Sequence, residues 1–320
     1  MRILMFGRGV IATIYGWALE QAGHEVEFYV RPGRATVYGR DVDLDLLDAR
    51  RGPRGRPVVE AWPVRYREEL EPDHDFDLIV LSVAHNRLTD AAQFLAPRLG
   101  HAAVLVFGNI WSDPLDAVAP LPADRLAWGF PQAGGAFADN GTLTGMLLPS
   151  VIFGTLDGSP SQREKDVRQA FRDAGFRISE RPDFRGWLWL HFIADAGMHS
   201  QGLQVGSLSK MVGSRPAFRQ ALLTIRELIP LLEARGIDLR RHRRGLLLYR
   251  APVALTSAAF AWATSHIAAA SRSLSAHSDP NAPEPYAIYR DTMTEARRLG
   301  IRVPRLEAAG TKIASCRAGS

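Results

Sequence analysis

Gly7-Arg8-Gly9-Val10-Ile11-Ala12 spells GxGxxA, directly after a short apolar run and ahead of a segment with helical spacing. Each residue type suits anion binding. Gly7 permits a tight turn, Gly9 lets a pyrophosphate approach the backbone, and Ala12 lets helix and strand pack closely. The helix N-terminus, at Val10 and Ile11, adds backbone N–H donors and a favourable dipole. Strand, glycines, helix and second strand follow in order over residues 2–30, the arrangement of a dinucleotide site. The residues after the second strand decide which dinucleotide. NAD sites usually present an acid there for the ribose hydroxyls. Here Val30 is followed by Arg31-Pro32-Gly33-Arg34, and two guanidinium groups suit a 2′-phosphate. NADP(H) is therefore the expected cofactor.

A second set lies in the other half of the chain. His191, Asp195 and His199 recur at i, i+4 and i+8 within an otherwise apolar stretch, so on a helix they share one face. A polar stripe of this kind is costly in a core unless it is paired or functional. His and Asp can both ligate a metal, but no further ligand is evident and no metal is expected.

These residues need elements to hold them. The 320 residues suffice for one large domain or two ordinary ones. Hydrophobic residues make up 46% and charged residues 23%, which is a globular profile. Arg2–Phe6 and Glu25–Val30 have the composition of strands, with a helix over Val10–Gln21 closed by Gly23. Asp41–Leu47 and Val58–Tyr66 suit a paired insertion around a Gly/Pro/Arg turn. Asp77–Val83 is nearly continuous apolar sequence, as in a parallel strand buried on both faces. A helix over Leu88–Leu99 precedes a strand at Ala103–Phe107. Further strands are expected at Arg125–Phe130, Val151–Thr155 and Phe176–Ser179, with a helix over Ser161–Ala174. The expected fold class is α/β: an N-terminal Rossmann-type doubly wound sheet followed by an all-helical C-terminal domain. Helices are expected over Phe184–Gln201, Pro216–Arg235, Pro252–Arg272 and Pro285–Leu299, several with proline in the first turn. The boundary falls near Arg181-Pro182, giving an NADP(H)-binding domain over 1–181 and a helical substrate or dimerisation domain over 182–320.

Composition excludes several classes. Only Lys165, Lys210 and Lys312 are lysines among 39 basic residues, so titratable lysine is scarce and arginine cannot replace it as an acid or base. The net charge of +5 is modest and its densest run, Arg240, Arg241, Arg243 and Arg244, is short. That suits a solvated helix end, not a nucleic-acid surface. The lone Cys316 excludes an internal disulfide. No window carries the roughly 18 apolar residues of a membrane span, and no signal sequence opens the chain. A cytoplasmic protein with a small-molecule partner, and neither nucleic acid nor membrane, is expected. The apolar C-terminal helices would serve either one core or a homodimer.

With these landmarks in order, the chain resembles the ketopantoate reductase family over most of its length. That resemblance implies an N-terminal NADPH-binding Rossmann domain, a helical C-terminal domain, and reduction of a 2-oxo acid. It also implies site residues. Where the family tends to carry a lysine facing the cofactor, this chain has Ser82-Val83-Ala84-His85, with Ala84 at the lysine's place. Asn109, in Phe107-Gly108-Asn109, resembles the asparagine beside the nicotinamide. Trp189–His199 matches the spacing of the family's W-x-K-L-x-x-N-x-x-x-N pattern, with His191 at the lysine and Asp195 and His199 at the asparagines. Glu284 stands sixteen residues before Gly300, where the resemblance implies a catalytic or substrate-binding glutamate. Ser273, near Ser271, matches a substrate-binding serine.

Reduction of a carbonyl leaves charge developing on oxygen, which must be stabilised or protonated. His191 is the candidate proton donor, since unperturbed imidazole titrates near ~6.5. Asp195 would orient it, Glu284 would hold the substrate, and Asn109 would position nicotinamide or carbonyl. Two lysines that could engage a carboxylate are missing, so a ketone or imine other than ketopantoate, or in addition to it, is the expected substrate. A genuine 2-dehydropantoate 2-reductase using histidine for lysine, and an NADP(H)-binding scaffold or sensor without turnover, remain the alternatives.

Overall fold

The computed structural model describes residues 1–52, 54–275 and 283–318. The chain divides into two compact units, Met1–Phe184 and Arg185–Ser320. In the first, the order is β1 (Arg2–Phe6), α1 (Val10–Glu20), β2 (Glu25–Tyr29), a short α2 (Arg34–Tyr38), β3 (Asp41–Asp48), β4 (Arg56–Pro63) and β5 (Tyr66–Arg67). There follow β6 (Leu78–Leu81), α3 (Leu88–Leu95), β7 (Ala103–Phe107), α4 (Pro114–Ala117), β8 (Leu126–Phe130), β9 (Ala133–Phe137), β10 (Leu143–Leu147), β11 (Ser150–Gly154), α5 (Gln162–Asp173) and β12 (Arg177–Arg181).

The main sheet has the order β12-β11-β8-β7-β6-β1-β2-β5. Its strands pair in parallel except for β11 against β8. Every residue of β6 and β7 is buried, which is why these strands are uniformly apolar and do not alternate. The chain leaves β1 toward β2 on one side and reaches β6 on the other. That reversal is the topological switch point, where ligands meet the carboxyl ends of such strands.

The insertion between β2 and β6 is larger than a hairpin. β3 and β4 pair antiparallel as expected, but β10 adds to β3 in parallel and β9 closes the sheet, giving the order β4-β3-β10-β9. β9 (AGGAF) carries no alternating pattern because the pairing demands glycine: a Cβ on Gly135 would lie 2.5 Å from the Thr144 carbonyl oxygen. The sequence expectation of a strand running to Tyr66 also needs correction. β4 ends at Pro63, and Tyr66–Arg67 leaves to pair with β2. α1 lies under this second sheet, with Trp17 Nε1 donating to Glu60 at 2.5 Å and the Trp62 indole donating to Glu20. Residues Ala12–Leu19 are all buried, as expected of a helix covered on several sides.

The second unit is helical: α6 (Phe184–Val205), α7 (Arg215–Ala234), α8 (Arg243–Arg250), α9 (Val253–His266), α10 (Ala268–Ser275), α11 (Pro283–Arg298) and α12 (Pro304–Ala318). α7 starts at the Ser214 cap, whose hydroxyl accepts from the Ala217 N–H, with Pro216 in the first turn. It buries Phe218, Leu222, Ile225, Leu228 and Leu232 on one face. Glu227 accepts the N–H groups of Arg305 and Leu306 at 2.8 and 3.2 Å, satisfying the orphan donors at the start of α12. The single helix expected over Pro252–Arg272 is two, because Ile267 is extended (φ −107°, ψ 110°) and ends α9. Among the described residues no single helix is long and apolar enough to cross a membrane, and α8 and α9 meet at 96°. Of the proline-rich stretch before Glu284, Asp279–Ala282 lie outside the described residues, as does the side chain of Cys316.

Candidate functional site

Three loops gather at the carboxyl edge of the parallel strands. The first is the glycine turn. Gly7 has φ +94°, a left-handed conformation that costs an L side chain roughly 1–2 kcal/mol, and its N–H donates to the Tyr29 carbonyl at 2.9 Å. Gly9 caps α1 with extended backbone and no side-chain partner. Its carbonyl takes the Thr13 N–H and hydroxyl, at 2.9 and 2.8 Å. The N–H groups of the helix's first turn have no intrahelical acceptor. A Cβ placed on Gly7 or Gly9 would meet nothing within 4 Å. The turn is thus an open cradle of backbone donors, and it fits a pyrophosphate.

The second loop follows β2. Arg31 is exposed, whereas Arg34 is half-buried at the start of α2. Arg34 leans along its own helix, with its guanidinium carbon 4.8 Å from the centre of the Tyr38 ring and Nη2 donating to the Tyr38 hydroxyl at 3.3 Å. Arg8 shares that ring at 4.7 Å and also lies 4.6 Å from the Phe137 ring. The Nε atoms of Arg8 and Arg34 are both buried without a hydrogen-bond partner among the described residues. Two guanidinium groups held by aromatic faces place positive charge beside the glycine turn.

The third group follows β6 and β7. Ser82, Val83, Ala84 and His85 leave β6, and the Ala84 carbonyl accepts the Arg87 N–H at 2.8 Å. The Ser82 hydroxyl is buried with no partner among the described residues. A Cβ on Gly108 would lie 3.5 Å from the Val83 carbonyl, so the Asn109 loop runs beside Ser82–Ala84. Asn109 itself is half-buried. The structure therefore places Gly7, Arg8, Gly9, Val10, Ile11, Arg31, Arg34, Ser82, Val83, Ala84 and Asn109 along one edge of one sheet.

The second unit contains its own polar row. His191 Nε2 lies 3.4 Å from Asp195 Oδ2, one turn along α6. The Trp187 ring stacks on the imidazole at 5.3 Å and 12°, fixing the ring plane from the preceding turn. His199 is buried two turns beyond His191. Tyr249 of α8 belongs to the same neighbourhood, and the sequence reading missed it. Burial pushes its phenol up to about 12, with the charge of Asp195 adding to the rise. Arg226 holds the end of α8 by donating to the Tyr249 and Ala251 carbonyls. Glu284 sits in the first turn of α11 and Ser273 on α10, both half-buried. Among the described residues no three His, Cys, Asp or Glu side chains are grouped to hold a metal.

A parallel sheet with a glycine turn at its switch point and a following helical unit defines a Rossmann-type α/β protein. Residues 3–143 match the family model described as Ketopantoate reductase PanE/ApbA. Solved structures extend the likeness of fold to the whole chain. The 2-dehydropantoate 2-reductase of Geobacter metallireducens is 16% identical, covering 99% of this chain and 100% of its own, with a TM-score of 0.67. That of Methylococcus capsulatus is 16% identical over 100% and 98%, at 0.65. A D-mandelate dehydrogenase solved with NADH and anilino(oxo)acetate is 14% identical over 98% of each chain, at 0.73. No curated protein matches the sequence.

Proposed function

We propose that this protein is an NADP(H)-dependent reductase that delivers hydride to a 2-oxo acid-like ketone or an imine. The observation that carries this reading is the open glycine turn at the switch point, with backbone donors and two arginines beside it. The names of the similar solved proteins, two 2-dehydropantoate 2-reductases and a dehydrogenase bound to NADH and an oxoacetate, support the reaction class. Residues 1–181 would bind the dinucleotide and residues 182–320 the substrate. Val10 and Ile11 N–H groups hold the pyrophosphate across Gly7, Arg8 and Gly9, while Arg31 and Arg34 favour a 2′-phosphate. Ser82, Val83, Ala84 and Asn109 line the cofactor's path, with Asn109 orienting the reacting end.

A bound nicotinamide supplies the hydride. His191 donates a proton to the substrate heteroatom as charge develops there, and solvent returns that proton. Asp195, 3.4 Å from the imidazole, holds it in place. Glu284, His199 and Ser273 bind polar groups of the substrate. Histidine and alanine stand where the resemblance implies lysines, so a carboxylate lacks two ammonium partners, which favours substrates other than ketopantoate. The test is a steady-state assay of NADPH loss with ketopantoate beside a panel of 2-oxo acids, β-keto acids and imines. Turnover with another ketone or an imine exceeding that with ketopantoate is expected. Dinucleotide binding without oxidation by any of them would overturn the reading.

A further inference from the structure

The sequence places no acid at the end of β2, but the fold brings one there from the neighbouring strand. β5 pairs with β2 in parallel, Phe28 opposite Tyr66 and Tyr29 opposite Arg67. The Val30 N–H extends the ladder to the Arg67 carbonyl at 2.9 Å. Glu68, the next residue, emerges against the loop that carries Arg31 and Arg34. Its Oε1 accepts the Ala35 N–H at 2.7 Å. Backbone donation from Ala35, then Gly33 and Arg34, outweighs the small effect of burial and holds this carboxyl below the usual glutamate range. Gly33, at φ +79°, turns the loop into α2, and the Ala35 N–H there meets the carboxylate. Neither Arg31 nor Arg34 pairs with Glu68 among the described residues, and Arg34 is turned onto Tyr38. The ionised acid is therefore held by neutral donors. A carboxylate has about four acceptor sites, so the bond from the Ala35 N–H leaves capacity for a ligand hydroxyl.

In a doubly wound sheet, whatever stands beyond the second strand meets the adenosine ribose of a dinucleotide. We propose that Glu68 is a specificity-determining residue for the cofactor. Its carboxylate accepts a ribose hydroxyl of NAD(H) and opposes the 2′-phosphate of NADP(H), countering Arg31 and Arg34, so that the protein uses both dinucleotides. This rests on the reading that the glycine turn holds a nicotinamide dinucleotide. It refines that reading: the arginines give the NADP(H) preference, and Glu68 limits it.

The test measures NADPH and NADH dissociation constants by titration calorimetry with the full chain, its Glu68→Gln variant and its Glu68→Ala variant. Glutamine keeps an acceptor oxygen for the Ala35 N–H and removes only the charge, so the loop keeps its brace. The wild type is expected to bind both dinucleotides. Glu68→Gln is expected to raise the NADPH-to-NADH affinity ratio about tenfold or more, because a like charge beside the phosphate is gone. Glu68→Ala should raise the ratio in the same direction. An unchanged or lower ratio in Glu68→Gln overturns the assignment and leaves Glu68 as a loop brace. Wild-type protein that binds neither dinucleotide overturns the cofactor reading itself, a result distinct from binding with an unmoved ratio.

Discussion

His191 is the residue on which the proposed chemistry turns, because lysine is scarce in this chain and arginine cannot act as a proton donor. Its neighbours hold it: Asp195 at 3.4 Å and Trp187 stacked on the ring. His191→Gln should keep the fold and the dinucleotide affinity, and slow the single-turnover step on the order of a hundredfold, the usual contribution of a positioned acid. Stopped-flow cofactor oxidation checks this. Gly9→Ala tests the other end of the reaction. The methyl would meet no protein atom within 4 Å, so the melting temperature should barely move. The added carbon stands in the cradle, so NADPH affinity should fall about tenfold or more, an effect of lost close approach readable by calorimetry. Both positions were legible in sequence, because a tight turn and a helical stripe are local patterns. Arg8 against Phe137, Tyr249 near Asp195, and Glu68 on Ala35 were not. Each joins residues far apart in the chain, and no spacing rule relates them.

At the scale of elements, the second sheet is braced to helices α1 and α5 by the Asp48–Arg50 pair. Arg50 binds Asp48 at 2.9 Å through both Nε and Nη2, donates to the Ala174 carbonyl at 2.6 Å, and lies 5.1 Å from the Trp17 ring. Both side chains are nearly buried, so Asp48→Ala should cost about 3 kcal/mol by stranding the guanidinium, as chemical denaturation would show. Burial alone would push the Asp48 carboxyl up, but hydrogen bonds and charge from Arg50, with Arg56, leave it below the ordinary value. The folded form therefore binds its proton less readily than the unfolded chain. The pair's contribution is full above the ordinary carboxylate value of about 3.9 and is lost as pH falls through the depressed folded value. Acid unfolding of the wild type should accordingly be steeper than that of Asp48→Ala. The sheet these residues brace was half legible. β3 alternates clearly, whereas glycine-rich β9 trades its pattern for close approach to β10.

At the scale of the molecule, the chain forms two compact units. The order of β and α segments in the first half, and the run of helices in the second, were visible because apolar period and proline placement are properties of single segments. What composition could not convey is which strands extend which sheet. That depends on pairings such as β2 with β5, where two residues suffice to bring Glu68 to its loop. Ligand linkage offers a global check on the cofactor. NADPH at about a hundred times its dissociation constant should add roughly 2.7 kcal/mol to stability, a rise of several degrees in Tm. Cofactor oxidation reads the reductase activity and the role of His191 together. Wild type and His191→Gln are compared across 2-oxo acids, β-keto acids and imines, with NADPH and NADH each in turn. At least one of these substrates is expected to drive oxidation in the wild type, with the variant slower by on the order of a hundredfold. Dinucleotide binding with no oxidation by any substrate, or equal turnover by His191→Gln, would contradict the proposed function.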